Sequence, residues 1–278
     1  MKGYRSHNVP KGTWSDDTSM ILVTIAAINK TGKIVQKDIA DNFVKWLENA
    51  EFTPGGRVFD VGGTCLRAIV KYRGNLAKPE ECRENGEFSN RNGSLMRISP
   101  LIFYCYAKKM NKEEIYECVK TVSSITHKHE ISVMGCYIYA LLAIELLKNN
   151  NVLEASKVIQ NEDYHFFSQN CKSKYDRIIH REIYSYSMDE IRFTGYVVDT
   201  LEVTLWCLMN TDCFDDAVIK AIKLDDDTDT VGACVGALAG ILYGEESINK
   251  DWKRDLLKLK EIVGMCEEFR EILKLRRY

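Results

Sequence analysis

Two short acidic runs could do chemistry. Gly12-Thr13-Trp14-Ser15-Asp16-Asp17-Thr18 and Asp225-Asp226-Asp227-Thr228-Asp229-Thr230 each stand directly before an apolar, helix-periodic segment. Asp, Ser and Thr at a helix start accept from free backbone N–H groups, and the helix dipole favours negative charge there. Capping by one side chain is the plain structural reading of either run alone. It does not account for the amount of charge, because two aspartates stand together in the first run and four in the second. Carboxylates this close repel one another unless cations neutralise them. Ser15-Asp16-Asp17 and Asp227-Thr228-Asp229-Thr230 each offer carboxylates and a hydroxyl within one turn. Hard divalent ions take such oxygen ligands, and neither run holds Cys or His, which points to Mg²⁺ or Mn²⁺ rather than zinc or copper. Together the runs supply donors for two ions, with Asp229 or Asp17 bridging.

Three further segments carry candidate groups. Phe59-Asp60-Val61-Gly62-Gly63-Thr64 puts a carboxylate and two glycines before a helix. Backbone N–H groups in such a turn cradle phosphate or a sugar hydroxyl, and a plain turn is the other reading. Asp60 reads as a helix-start residue or a substrate-binding carboxylate. Ser89-Asn90-Arg91-Asn92-Gly93-Ser94, before apolar Leu95-Met96, suits a pyrophosphate-binding loop. Arg97 reads as a partner for phosphate or for a neighbouring carboxylate. Thr126-His127-Lys128-His129 lies between two helical segments, where a histidine is more often a cap or a hydrogen-bonded core residue than a catalyst. His127 and His129 could be mistaken for a metal pair, but no third ligand is nearby, and His7, His165 and His180 carry no pattern.

The elements that must position these groups read as helices. Apolar residues recur at a period near 3.6, as in Ile39, Ala40, Phe43, Val44 and Leu47. Helices are expected over residues 18–28, 37–47, 64–72, 95–107, 112–125, 131–147, 152–159, 194–209 (capped by Thr194), 212–222, 228–243 and 252–275. Residues 162–190 are polar and Tyr-rich, which predicts a loop with one short helix. Strand signals are nearly absent, and four prolines in 278 residues leave few helix breakers. Gly232, Gly236, Gly240 and Gly244 recur every four residues, a side-chain-free stripe best explained by close approach of another helix. One compact all-α domain over residues 1–278 follows.

Hydrophobic residues at 45%, charged residues at 28% and a net charge of -2 exclude a disordered chain and a general nucleic-acid coat. Of the ten cysteines, Cys65, Cys105, Cys118, Cys136, Cys207 and Cys234 lie in apolar segments as small core residues, and no CxxC pair occurs. The N-terminus has no apolar signal region, and residues 231–243 are too short to span a bilayer. A soluble, reduced, cytoplasmic protein is expected.

In order along the chain, six motifs stand out. They are Gly12-Thr13-Trp14-Ser15-Asp16-Asp17-Thr18-Ser19-Met20, Phe59-Asp60-Val61-Gly62, Asn92-Gly93-Ser94-Leu95-Met96-Arg97, Thr126-His127, Gly195-Tyr196-Val197-Val198-Asp199-Thr200-Leu201-Glu202 and Asp227-Thr228-Asp229-Thr230. In these motifs the chain resembles the ADP-ribosylglycohydrolase family, of the type that reactivates dinitrogenase reductase. The resemblance implies an all-α, compact single-domain orthogonal helical bundle with a binuclear Mg²⁺ or Mn²⁺ centre. It implies metal ligation by Ser15, Asp16, Asp17, Asp227, Asp229 and Thr230. Substrate binding would fall to Asp60, Gly62, Asn92, Gly93, Ser94, Met96 and His127, with the Asn92 loop on the diphosphate and His127 against the ribose. The implied partner is ADP-ribose or an ADP-ribosylated protein bound by a monomer, with no membrane and no nucleic acid. The implied reaction is hydrolysis of the ribosyl–acceptor bond, often to arginine.

Such cleavage builds oxocarbenium-like charge on the ribose, and a carboxylate beside it orients or deprotonates water or protonates the leaving group. Asp16, Asp17 and Asp60 are the candidates. The chain departs from the family pattern at three places. Residues 1–11 contain neither the usual Gly-Asp-(Ala)-Leu-Gly segment nor the Glu that follows it, and Asp225 and Arg91 stand where the family commonly has Gly. The first departure supports a second reading, a non-catalytic ADP-ribose-binding pseudoenzyme. A prenyl-diphosphate synthase would need Asp-Asp-x-x-Asp, and the third position after Asp16-Asp17 is Met20.

Overall fold

Helix-periodic apolar residues set the architecture, and their stripes are what the helices bury. The computed structural model of the chain describes residues 3–4, 7–75, 79–82, 86, 89–224 and 227–275. Asp225 and Asp226 of the second acidic run, and the last three residues of the basic C-terminal segment, lie outside them. The helices are α1 (Asp16–Thr31), α2 (Gln36–Asn49), α3 (Gly63–Asn75), α4 (Pro79–Cys82), α5 (Ser99–Ala107), α6 (Lys112–Ser123), α7 (Glu130–Asn149) and α8 (Val152–Gln160). They continue with α9 (Gln169–Lys174), α10 (Asp176–Ile179), α11 (Val197–Met209), α12 (Phe214–Ile222), α13 (Thr228–Tyr243), α14 (Lys250–Asp255) and α15 (Leu259–Leu273). Outside the helices an isolated antiparallel bridge joins Arg91 and Tyr196. The all-α expectation holds.

Helix α7 is the axis of the core. It packs against α5, α6, α8, α11 and α13. Its length and mean hydropathy of 1.7 match those of a membrane span, yet 83% of its apolar window is buried by the surrounding helices. One large apolar cluster runs from Met20 on α1 to Ala239 on α13, and a smaller one joins Ile25 and Ile28 to Tyr104, Phe269 and Leu273. The described cysteines are all free, and seven of the ten are buried.

Four boundaries differ from the sequence expectation. The helix expected from residue 95 starts at Ser99, with Pro100 in its first turn, where its missing N–H costs no helix bond. Residues Asn92–Ser94 form a 3₁₀ turn before it. Segment 162–190 holds two short helices, α9 and α10, and two 3₁₀ turns at Ile183–Ser185 and Met188–Glu190. Thr194 does not cap α11, whose N-cap is Tyr196; its hydroxyl accepts from the Tyr196 N–H at 3.1 Å and donates to Asp199 at 2.6 Å. The C-terminal segment breaks between α14 and α15, where the Leu257 N–H is taken by the Gly12 carbonyl at 3.0 Å. That bond fastens the segment before α1 to the C-terminal helices.

The glycine stripe does what close packing requires over half its length. A β-carbon at Gly232 would stand 3.3 Å from Ile222 Cγ2, and one at Gly236 would stand 3.8 Å from Val218 Cγ2, both on the α12 side. At Gly240 nothing lies within 4 Å.

Candidate active site

The two acidic runs meet where the N-termini of α1 and α13 come together. Neither is used for capping: Ser15 stands at the N-cap of α1 and Asp227 at that of α13, and neither side chain makes a cap hydrogen bond. Ser15 instead donates its hydroxyl to Asp17 Oδ2 at 2.8 Å. Carboxylate oxygens of Asp16, Asp60 and Asp229 lie within 4.8 Å of one another. The Gly62 backbone favours the charged form of Asp16, the Ser15 and Thr230 hydroxyls favour that of Asp17, and Asp229 disfavours that of Asp60. Asp60 reaches this place through a left-handed backbone, φ 56°, which an Asp tolerates better than most residues.

These groups line a cleft of about 520 Å³. Asp16, Asp60, Asp227, Asp229 and Thr230 form one wall, with Gly62 and Gly63 from the turn before α3. Asn92, Gly93, Met96 and His127 also line it. Ser15 and Asp17 face a neighbouring hollow of about 490 Å³ that shares Thr228 and Asp229 with the cleft. Ser94 is the expected substrate residue that does not join: it is fully buried and its hydroxyl lies 3.4 Å from Cys136 Sγ. Asn92 is buried too, and its amide donates to Asp227 Oδ2 at 2.9 Å and to Thr200 Oγ1 at 3.0 Å. It therefore positions an acid of the second run.

One other reading is corrected. Arg97 meets neither phosphate nor carboxylate: it is fully buried, donates to the carbonyls of Gly93 and Val122 and to Thr126 Oγ1, and covers the Phe43 ring at 4.9 Å. Its side chain holds the Asn92 loop onto the core. The two interhelical histidines follow the plainer reading: His127 is buried on the cleft wall, and His129 caps α7 by accepting from the Ile131 N–H at 3.3 Å. His7 was missed, since a lone histidine in a polar segment gives no pattern. Its Nε2 lies 3.2 Å from Asp60 Oδ2, and its ring packs on Phe59.

Electrostatics mark the cluster. Burial pushes the Asp16 carboxyl up to about 9, with Asp17, Asp60 and Asp229 adding repulsion. Burial also raises Asp17 to about 7 and Asp60 to about 6, again reinforced by Asp229. Asp17 Oδ1 is buried without a hydrogen-bond partner. Acids raised in this way lack neutralising charge, and their donors are all hard oxygens. The set fits a divalent cation of the Mg²⁺ or Mn²⁺ kind. A second acidic grouping, Glu162, Asp163 and His165, is satisfied internally by Lys112 on Glu162 at 2.5 Å and by His165 on Asp163 at 2.8 Å.

The profile of the ADP-ribosylglycohydrolase family matches residues 1–277. The ADP-ribosylarginine hydrolase Tri1 of Serratia proteamaculans is 27% identical over 277 residues, covering 96% of this chain and 70% of its own. The ADP-ribosyl-[dinitrogen reductase] glycohydrolase of Rhodospirillum rubrum is 27% identical over 260 residues, covering 90% and 76%. A solved structure titled ADP-ribosylglycohydrolase-related protein complex superimposes with a TM-score of 0.79 at 25% identity, over 98% of this chain and 86% of that one. With the whole chain matched, the same helical fold and the acidic cleft in place, the chain belongs to the ADP-ribosylglycohydrolase family of hydrolases.

Proposed function

We propose that the chain hydrolyses the ribosyl–acceptor bond of ADP-ribosylated protein, with arginine as the acceptor and divalent Mg²⁺ or Mn²⁺ in the acidic cleft. The observation that carries this reading is the convergence of Asp16, Asp60 and Asp229, from three separate segments, within 4.8 Å in a cleft of substrate size. The arginine acceptor is supported by the Tri1 relative, whose name gives that activity.

Asp16, Asp17, Asp227, Asp229, Ser15 and Thr230 would hold the ions. When bound, these neutralise the carboxylates and polarise the oxygens they contact, which suits a reaction that builds charge at the ribose. The chain's own residues do the rest. Asn92 holds Asp227 in place. Asp60, partly exposed at the cleft beside His7, is placed to move a proton at its carboxylate, either from water or to the leaving group. Gly62, Gly93, Met96 and His127 shape the walls against the ribose and diphosphate. Arg91 lines the cleft and is placed to supply positive charge for phosphate.

The test is release of ADP-ribose from an arginine-ADP-ribosylated protein by the purified chain with Mg²⁺ or Mn²⁺. Release supports the reading. Calorimetric binding of ADP-ribose without release would replace it with the binding-only alternative.

A further inference from the structure

The hollow that adjoins the cleft is lined in a different way. It holds about 490 Å³, inside the roughly 300–1,000 Å³ that ligand pockets span. His7, Thr228 and Asp229 line both spaces, so the border between them runs through the first turn of α13. Asp229 and Ala233 stand four residues apart, on one face of that helix, and both line the hollow. Asp229 brings an exposed carboxylate to the border, and Ala233, one turn on, has a side chain too short to fill the space beside it. Val9, Trp14, Phe59 and Leu256 add apolar and aromatic wall.

The two basic groups among the described lining residues each face a carboxylate. Lys11 Nζ lies 2.5 Å from Asp255 Oδ2, and His7 Nε2 lies 3.2 Å from Asp60 Oδ2. An acid at one end and apolar, aromatic walls along the rest suit a cation carried on an apolar stem. Arginine is such a group: its planar guanidinium only donates hydrogen bonds and stacks on aromatic rings, and its methylenes pack on apolar surface. The bond to be cut joins the ribose to a guanidinium nitrogen. With the ribose against the acids of the cleft, that nitrogen stands at the border, and the hollow opens beyond Asp229.

We propose that the hollow is the acceptor subsite, in which the arginine side chain that carries ADP-ribose passes Asp229 and lies along Ala233, Phe59 and Leu256. The inference rests on the cleft being a ribosyl hydrolase site and names what selects the acceptor. A serine acceptor, whose oxygen is one carbon from the main chain, would leave the hollow empty.

The test uses the full chain with Mg²⁺ or Mn²⁺, ADP-ribosylagmatine as a small guanidinium conjugate, and ADP-ribose and agmatine as the two product probes. Ala233→Leu should raise the KM for the conjugate about tenfold with kcat within about threefold, and weaken agmatine binding to the ADP-ribose-saturated chain by a similar factor. ADP-ribose itself should bind Ala233→Leu and the wild-type chain alike in calorimetry, because Ala233 lines the hollow and not the cleft. Leu256→Phe narrows the same space from the end of α14 and should repeat the pattern. Ala237→Leu, a turn further along α13 and outside both linings, should match the wild-type chain. An unchanged KM and agmatine affinity in both Ala233→Leu and Leu256→Phe would overturn the subsite and leave the hydrolase reading intact. So would an equal loss in Ala237→Leu, or a loss of ADP-ribose affinity as large as the loss for the conjugate. A wild-type chain that binds ADP-ribose and releases none from the conjugate overturns the hydrolytic reading, and agmatine binding then decides the subsite alone. A wild-type chain that binds neither probe overturns both.

Discussion

Carboxylate oxygens of Asp60 and Asp229 lie within 4.8 Å of each other, a carboxyl from the turn before α3 meeting one from the first turn of α13. Carboxylates this close repel unless protons or a divalent cation offset their charge. The same crowding raises the acids on either side and links stability, pH and metal in one site.

Replacing Asp16 by Asn should raise the stability of the ion-free chain while abolishing hydrolysis. Asp16 is buried and repelled by three neighbouring acids. The neutral amide removes that cost without changing shape. Thermal unfolding in EDTA should show a midpoint higher by about 2–4 °C. A lower midpoint would mean that the carboxylate is already neutralised within the protein.

The pH dependence has a definite sign. Asp16 at about 9 and Asp17 at about 7 hold protons in the folded state that the unfolded chain, with carboxyls at 3.8, gives up. Stability of the ion-free chain should therefore rise as pH falls from 9 towards 6.5. His127 acts in the opposite direction only below 6.5, because its folded value is about 3. A divalent ion must displace the same protons, so its affinity should weaken over the same descent. Urea midpoints in EDTA and Mn²⁺ titrations at several pH values check both trends; an ion-free midpoint that climbs with pH contradicts them.

Asn92→Ala should separate positioning from ligation. The amide bridges Asp227 and Thr200 in a buried place. Its loss should cost about 1–3 kcal/mol of stability and weaken metal binding about 10–100-fold. Asn92→Asp should weaken metal-free folding further by adding a charge against Asp227. If denaturant melts and Mn²⁺ titrations leave Asn92→Ala unchanged, Asn92 is no support for Asp227.

Much of this site was legible in the sequence. Clustered aspartates exceed what caps need, and the structure leaves Ser15 and Asp227 uncapping at their helix starts. Helix periodicity gave the long elements. The misses share a cause, partners distant in sequence. Arg97 looked like a phosphate ligand because nothing local reveals that Val122 and Thr126 enclose it. Ser94 sits in the right motif but turns to Cys136 on α7. The break before α15 depends on Gly12, at the other end of the chain. His7 acquires meaning only when Asp60 is beside it.

Gly12 itself gives a test of the fastening. It has φ 84°, and a β-carbon there would overlap the Asp255 carbonyl oxygen. Gly12→Ala should destabilise the fold by about 1–3 kcal/mol, from a strained backbone and overpacking together. Gly56→Ala is the control: it shares the positive φ, 68°, but has open space around it, so its cost should be smaller. Equal urea midpoints for the two variants would remove the contact with Asp255 from the account.

The proposed activity makes the acidic cleft a metal-dependent ribosyl hydrolase site. The most direct measurement follows ADP-ribose released from an arginine-ADP-ribosylated protein by the purified chain, with EDTA, with Mg²⁺ or Mn²⁺ restored, and with Asp229→Asn. Release should be stopped by EDTA, restored by the ion and missing in Asp229→Asn. Release that persists in EDTA and in Asp229→Asn, or no release from a folded chain that binds the ion, would contradict it.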